Sequence, residues 1–252
     1  MFFIIPNKNL LLQTQKILKM SKKKQKEKHT QKQFENIEES LSRSEAFILE
    51  NQKILTIIVA ILIVIVLGFF GFRKYYLQPK EKEAQEQIFP AQHYFQVDSL
   101  DKALYGDGNN LGFVDIAKSY SITKAGNLAN YYAGISFLKK GNFVNAIKYL
   151  KKFSSNDEII GPMAKGAIGD AYLEQGDKAQ AITYYMEAAN LTDNEFTSPM
   201  FLLKAGEVNE DMGNYDEAIK DYKRIQQSYF KSLEARNIEK YIAQAEALKK
   251  NK

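Results

Sequence analysis

Carboxylates, lysines and tyrosines are the side chains with which this chain could do chemistry, because its other reactive types are scarce. Its 252 residues contain two histidines, His29 and His93, and no cysteine. Two histidines are too few for a typical histidine-based metal site. The lack of thiols excludes disulfides, thiolate metal sites and a cysteine nucleophile. The same count argues against a lipid anchor joined through cysteine and fits an oxidising or a reducing compartment equally. No phosphate-binding glycine loop, paired histidine–glutamate motif or nucleophile elbow occurs. The run Gly106-Asp107-Gly108-Asn109-Asn110 invites a calcium-loop reading, yet it lacks the alternating oxygen donors and closing glutamate of an EF-hand. It reads as a turn that interrupts a helix. What remains is recognition, by carboxylates such as Asp170, Glu174, Glu207, Glu210 and Asp211. No catalytic residue, cofactor or metal is expected.

The elements that must position these carboxylates announce themselves by repetition. Gly134, Phe137, Gly141, Phe143, Ala146 and Leu150 are matched 35 residues later by Gly169, Tyr172, Gly176, Lys178, Ala181 and Tyr185. A further shift of 37 reaches Gly206, Asn209, Gly213, Tyr215, Ala218 and Tyr222. A period near 34 with this pattern marks a unit of two amphipathic helices joined by a tight turn. The turns are Lys140-Gly141-Asn142, Gln175-Gly176-Asp177 and Met212-Gly213-Asn214, where glycine accepts the left-handed conformation that ends the first helix. Ala146, Ala181 and Ala218 sit where the helices cross, with Gly134, Gly169 and Gly206 one helix earlier, and the aromatic positions and Leu150 fill the space between. All of these are assigned to packing. Lys178 and Asn209 stand where the pattern wants an aromatic, and Asn209 is expected to loosen its unit.

The stretches "GISFLKKGNFVNAIKYLKKF", "GDAYLEQGDKAQAITYYMEAA" and "GEVNEDMGNYDEAIKDYKRI" closely resemble the tetratricopeptide repeat family. The resemblance implies an all-α solenoid over residues 82–252, with repeats at about 127–161, 162–198 and 199–230 and a capping helix at 231–250. A degenerate unit precedes them at about 84–126. Ala91, Tyr94, Asp98, Leu100 and Ala103 keep the register, and the second helix is delayed to about 111–120.

Residues 54–72 (ILTIIVAILIVIVLGFFGF) carry no charge over 19 positions. As a helix they reach roughly 28 Å, the thickness of a bilayer's hydrocarbon core, and read as a single transmembrane helix. Residues 73–81 are a linker. Residues 1–33 form a basic tail expected to be disordered, and translation is expected to start at Met20, leaving 1–19 untranslated. Phe34, Ile37, Leu41 and Ile48 predict an amphipathic helix over 34–53. The net charge of +5 belongs wholly to residues 1–53, which hold 11 basic and 6 acidic side chains, so it does not argue for nucleic acid. Charge near the span does not settle orientation. Arg43 and Lys53 precede it, and Arg73, Lys74, Lys80 and Lys82 follow.

The plan of basic tail, one span and repeats resembles the bacterial ancillary translocon subunit family. That resemblance implies a single-pass inner-membrane protein with a cytoplasmic N-terminus and a periplasmic repeat domain. Its implied partners are other proteins, namely the protein translocation channel or periplasmic chaperones. In such solenoids the first helix of each unit lines a concave groove. By register the groove holds Tyr131, Ile135, Leu138 and Lys139, then Gly166, Asp170, Leu173 and Glu174, then Leu203, Glu207, Glu210 and Asp211. It should be apolar and aromatic at one end and acidic at the other, and so suit a ligand with basic and apolar residues. The expected function is a membrane-anchored, non-catalytic protein-binding scaffold acting as an accessory of protein export. Two rivals are a structural coordinator of envelope growth or cell division, and an enzyme or small-ligand binder with an unrecognised site.

Overall fold

A computed structural model describes residues 47–251, and every described element is helical. The tail, the start at Met20 and most of the helix expected over 34–53 lie outside the described residues; 47–50 are helical. The described residues divide into two units, with the boundary after Phe70. In the first, helix α1 (Gln52–Phe72) buries none of its residues. Apart from the half-buried Leu55, its isoleucines, leucines and phenylalanines are exposed, and it is long and apolar enough to cross a membrane.

The segment 73–81, expected to be a linker, is helical throughout. Arg73–Leu77 form a π-helical turn and α2 (Gln78–Gln96) follows without a break. The physical reason lies in the place of Pro79. It falls in the first turn of α2, just after the wider turn that Gln78 N–H closes by donating to the Arg73 carbonyl, where a residue without an N–H costs little.

The remaining helices are α3 (Leu100–Tyr105), α4 (Phe113–Ser119), α5 (Lys124–Lys139), α6 (Phe143–Leu150), α7 (Ile160–Glu174), α8 (Lys178–Leu191), α9 (Thr197–Asp211), α10 (Tyr215–Ser228) and α11 (Ile238–Lys250). α5–α6, α7–α8 and α9–α10 are three hairpins of one design. In each turn the glycine has positive φ, 73° at Gly141, 82° at Gly176 and 74° at Gly213. The same paired bonds close each end: Gly141 N–H donates to the Leu138 carbonyl and Asn142 N–H to that of Phe137, with equivalents at Gly176 and Gly213. This satisfies carbonyls that the helix end would otherwise leave unpaired. Asn142 and Asp177 then cap α6 and α8 by accepting from Asn145 N–H and Gln180 N–H.

Packing follows the repeat. A Cβ on Gly134 would lie 2.4 Å from Leu150, one on Gly169 2.6 Å from Tyr185, and one on Gly206 2.3 Å from Tyr222. Glycine lets each first helix touch the large residue of its own second helix. Ala146, Ala181 and Ala218 are fully buried at the crossings. Successive first helices also touch, α2 with α5, α5 with α7 and α7 with α9. The delayed second helix of the leading unit is α4. A loop separates it from α3, and Asp107 holds that loop by accepting from Asn109 N–H, Asn110 N–H, the Asn110 amide and the Tyr94 hydroxyl. The Asp107 carboxyl is thereby kept far below the usual carboxylate range, with the Tyr94 hydrogen bond the largest cause. After α10 the chain makes a 3-10 turn at Glu234–Asn237 before α11, so the final helix is shorter than the expected 231–250.

Candidate partner-binding groove

The residues expected to line the groove lie on α5, α7 and α9, the three first helices that touch in sequence. Their surroundings differ from end to end. On α5, Tyr131, Ile135 and Leu138 are half-buried and packed into the core, Tyr131 with its ring 5.2 Å from that of Phe153. Burial pushes the Tyr131 hydroxyl up. Lys139 is engaged rather than free: its ammonium is 2.8 Å from Asp98 and sits over the Phe95 ring. On α7, Gly166 corrects the register. It is buried, and a Cβ there would lie 1.8 Å from the Phe201 ring, so it serves the close approach of α9 and offers no groove surface. Leu173 on α7 and Leu203 on α9 are half-buried against the second core cluster.

The carboxylates divide into paired and unpaired. Asp170 receives Lys204 from the next unit at 2.6 Å and the Tyr185 hydroxyl at 2.7 Å. Asp211 pairs with Lys178, the residue standing where an aromatic is usual. Both pairs are half-exposed, so each contributes at most about 1 kcal/mol, but both neutralise charge that the sequence alone assigns to a ligand. Glu174 and Glu207 make no ion pair among the described residues; Glu174 is exposed, and Glu207 is exposed along its stem with its carboxyl partly covered. Glu210 accepts from the Tyr222 hydroxyl and from the Gln244 amide of α11.

Glu207 and Glu210 line a slot of about 480 Å³ whose other walls include Tyr222, Tyr241, Gln244 and Leu248. The slot raises pKa values as an anionic, partly dry site must. Partial burial first, then the charge of Glu210, push Glu207 up, while Lys204 and a hydrogen bond with Tyr241 oppose them. Burial, then Glu210 and Glu207, push the Tyr222 hydroxyl up. Two carboxylates beside the half-buried Tyr241 ring, which itself packs 5.5 Å from the Tyr222 ring, can hold one cationic side chain, chiefly by charge.

Three of these walls, Tyr241, Gln244 and Leu248, escape the sequence reading, which takes residues 231–250 as a cap. A signal for them exists. Lys204 meets Asp170, Arg224 meets Asn190 and Gln244 meets Glu210, each pair 34 residues apart. By that spacing α11 stands as the first helix of one more unit and completes the groove. Asn209 corrects a second expectation. It is buried and its amide donates to the buried Asp221 carboxylate at 3.3 Å, so a polar pair takes the place of the missing aromatic.

The tetratricopeptide repeat family model matches residues 131–195 and 167–232. A crystal structure described as that of the MamA protein is similar at 19% identity and a TM-score of 0.47, covering 67% of this chain and 92% of that one. No curated protein matches the chain. Over residues 131–232 the hairpins from α5 to α10 thus match tetratricopeptide repeats, and repeats of that kind commonly stack into surfaces that bind other polypeptides.

Proposed function

We propose that this protein is a membrane-anchored, non-catalytic scaffold whose groove holds an extended or helical segment of another protein. A basic residue of that segment enters the slot beside Glu207 and Glu210, and its apolar residues lie against Leu173 and Leu203. The observation that carries this reading is Glu207, without an ion pair among the described residues, sharing one slot with Glu210 and with Tyr222 and Tyr241, whose rings lie 5.5 Å apart. The charge pattern disfavours capture of a C-terminal carboxylate, for which a basic clamp would be needed. In this reading residues 54–72 anchor the chain in a bacterial inner membrane, with the N-terminus cytoplasmic and the repeats periplasmic. The setting is protein export, with the translocation channel or periplasmic chaperones as partners.

A photo-crosslinking residue placed at Leu173 or Leu203 in intact cells tests this. Capture of translocation-channel subunits or periplasmic chaperones is expected, and E207K/E210K should abolish it while the helical signal is retained. Capture of wall synthases instead would move the protein to envelope growth. Undiminished capture by E207K/E210K would remove the slot from the mechanism.

A further inference from the structure

A second cavity, of about 640 Å³, lies between α4 and α6 and has the opposite electrostatic character. Its walls include Lys118 from α4, Ser121 just beyond it, Asn130 from α5, and Lys148, Tyr149 and Lys152 from α6 and its exit. Successive first helices pack together here while α4 and α6 stay apart, and the cleft between them is the space that results. The volume lies within the range of about 300–1,000 Å³ usual for small-ligand pockets.

The three lysines belong to the described lysines that no carboxylate neutralises, a set that also includes Lys102, Lys124, Lys151 and Lys240; these three are set apart by sharing one cleft. Lys139, Lys140, Lys165, Lys178, Lys204, Lys220, Lys223 and Lys249 each reach a carboxylate. Lys118, Lys148 and Lys152 form no ion pair among the described residues. Lys148 and Lys152 lie one helical turn apart with their ammonium groups 5.7 and 5.6 Å from the centre of the same Tyr149 ring, so like charges face one side of α6 without a counterion. Asp115 on α4 is the carboxylate whose field reaches Tyr149, and it leaves the cavity with a surplus of positive charge. Asn130 is 7% exposed, and its amide spends one donor on the Gly126 carbonyl at 3.2 Å, leaving a second N–H to offer.

We propose that this cleft binds an organic phosphate. Three ammonium groups supply point charges to a phosphate dianion, the Ser121 hydroxyl and the Asn130 amide can donate to its remaining oxygens, and the volume left over accepts the organic group. An acidic peptide fits less well, because Val114 and Ala117 are small and the Tyr149 ring is already covered by Lys148 and Lys152, which leaves little apolar anchorage. The same phosphate chemistry is presented by a lipid headgroup and by a soluble metabolite.

Full-length protein in detergent, titrated calorimetrically at low salt, distinguishes these sources. The probes are glycerol 3-phosphate, dihexanoyl phosphatidic acid and, as the neutral control, dihexanoyl phosphatidylcholine. At least one phosphate probe is expected to bind while the control does not, and the stronger of the two identifies the source. K118Q/K148Q/K152Q should weaken that binding by about tenfold or more, and K152Q alone, lying beyond the end of α6, by a smaller factor. K220Q/K223Q/K231Q, which removes equal charge elsewhere, should leave it unchanged. Three results would overturn the assignment: neither phosphate binds, both triple variants lose binding alike, or an oligoglutamate binds more tightly than either phosphate.

Discussion

Replacing Asp221 by asparagine should make the repeat domain more stable at neutral pH and leave it nearly unchanged at pH 4. Asp221 is 5% exposed on α10, and its carboxylate receives one hydrogen bond, from Asn209. Burial is the main cause that pushes its pKa from 3.8 to about 6, with the Asn209 bond, Lys220 and Arg224 opposing and Glu217 assisting. Below about 3.9 the carboxyl is protonated folded and unfolded, and it contributes nothing to pH dependence. Between there and 6 the folded state keeps a proton that the unfolded state releases, so stability falls as pH rises. Above 6 the loss levels off at roughly 3 kcal/mol, taking 1.36 kcal/mol for each pKa unit. An asparagine at this position would never ionise, and its side-chain oxygen can still accept from Asn209. D221N should therefore gain about 2–3 kcal/mol over the wild type at pH 7.5 and less than about 1 at pH 4. The wild-type curve by itself is no test. Asp107 and Asp157, both held low by hydrogen bonds, lose stability as pH falls through their folded pKa values and tilt the curve the other way. The measurement is the difference between the two proteins in denaturant unfolding, followed by tyrosine near-UV dichroism because the chain has no tryptophan. A difference that stays constant from pH 4 to 7.5 refutes the reasoning.

Ser136 on α5 is fully buried and its hydroxyl has no hydrogen-bond partner. S136A should raise stability by about 1 kcal/mol, since an orphaned buried hydroxyl costs roughly that or more and alanine favours the helix. A lowered thermal midpoint would show that the hydroxyl is satisfied after all. Gly169→Ala should destabilise by about 1–3 kcal/mol despite alanine's helix propensity, because the new methyl meets the Tyr185 ring at 2.6 Å and the Ala181 carbonyl at 3.2 Å. Tyr185 is fully buried and tethered to Asp170, so the ring cannot swing aside. Unchanged denaturant midpoints for this variant would mean that the α7–α8 crossing is looser than its geometry.

Much of the architecture was legible from residues a few positions apart. A helix end needs its glycine where φ turns positive, and a crossing needs its small residue opposite a large one. Gly176 with Asp177, and Gly169 with Tyr185, therefore show themselves in a single repeat. An uncharged run such as 54–72 is equally local, because its consequence depends on solvent and length. Local pattern failed where the partner lay in another unit or where a neighbour altered the helix. Residues 73–81 read as a linker, yet a π-helical turn at Arg73–Leu77 and the start of α2 make them helical. Lys178 and Asn209 looked like defects in a packing motif; folding sets one against Asp211 and the other against Asp221.

Residue types and their period determined that the chain is built of paired helices, which positions are buried between them, and where charge of each sign lies along the chain. Only the stacking of units decided which of those charges remain available. Asp170 is neutralised by a lysine 34 residues away, Lys139 by an aspartate 41 residues earlier, and Glu207 keeps a slot because α11 closes over it. Distances of that kind are set by the rotation between neighbouring hairpins, which sums many side-chain contacts and is written in no single repeat.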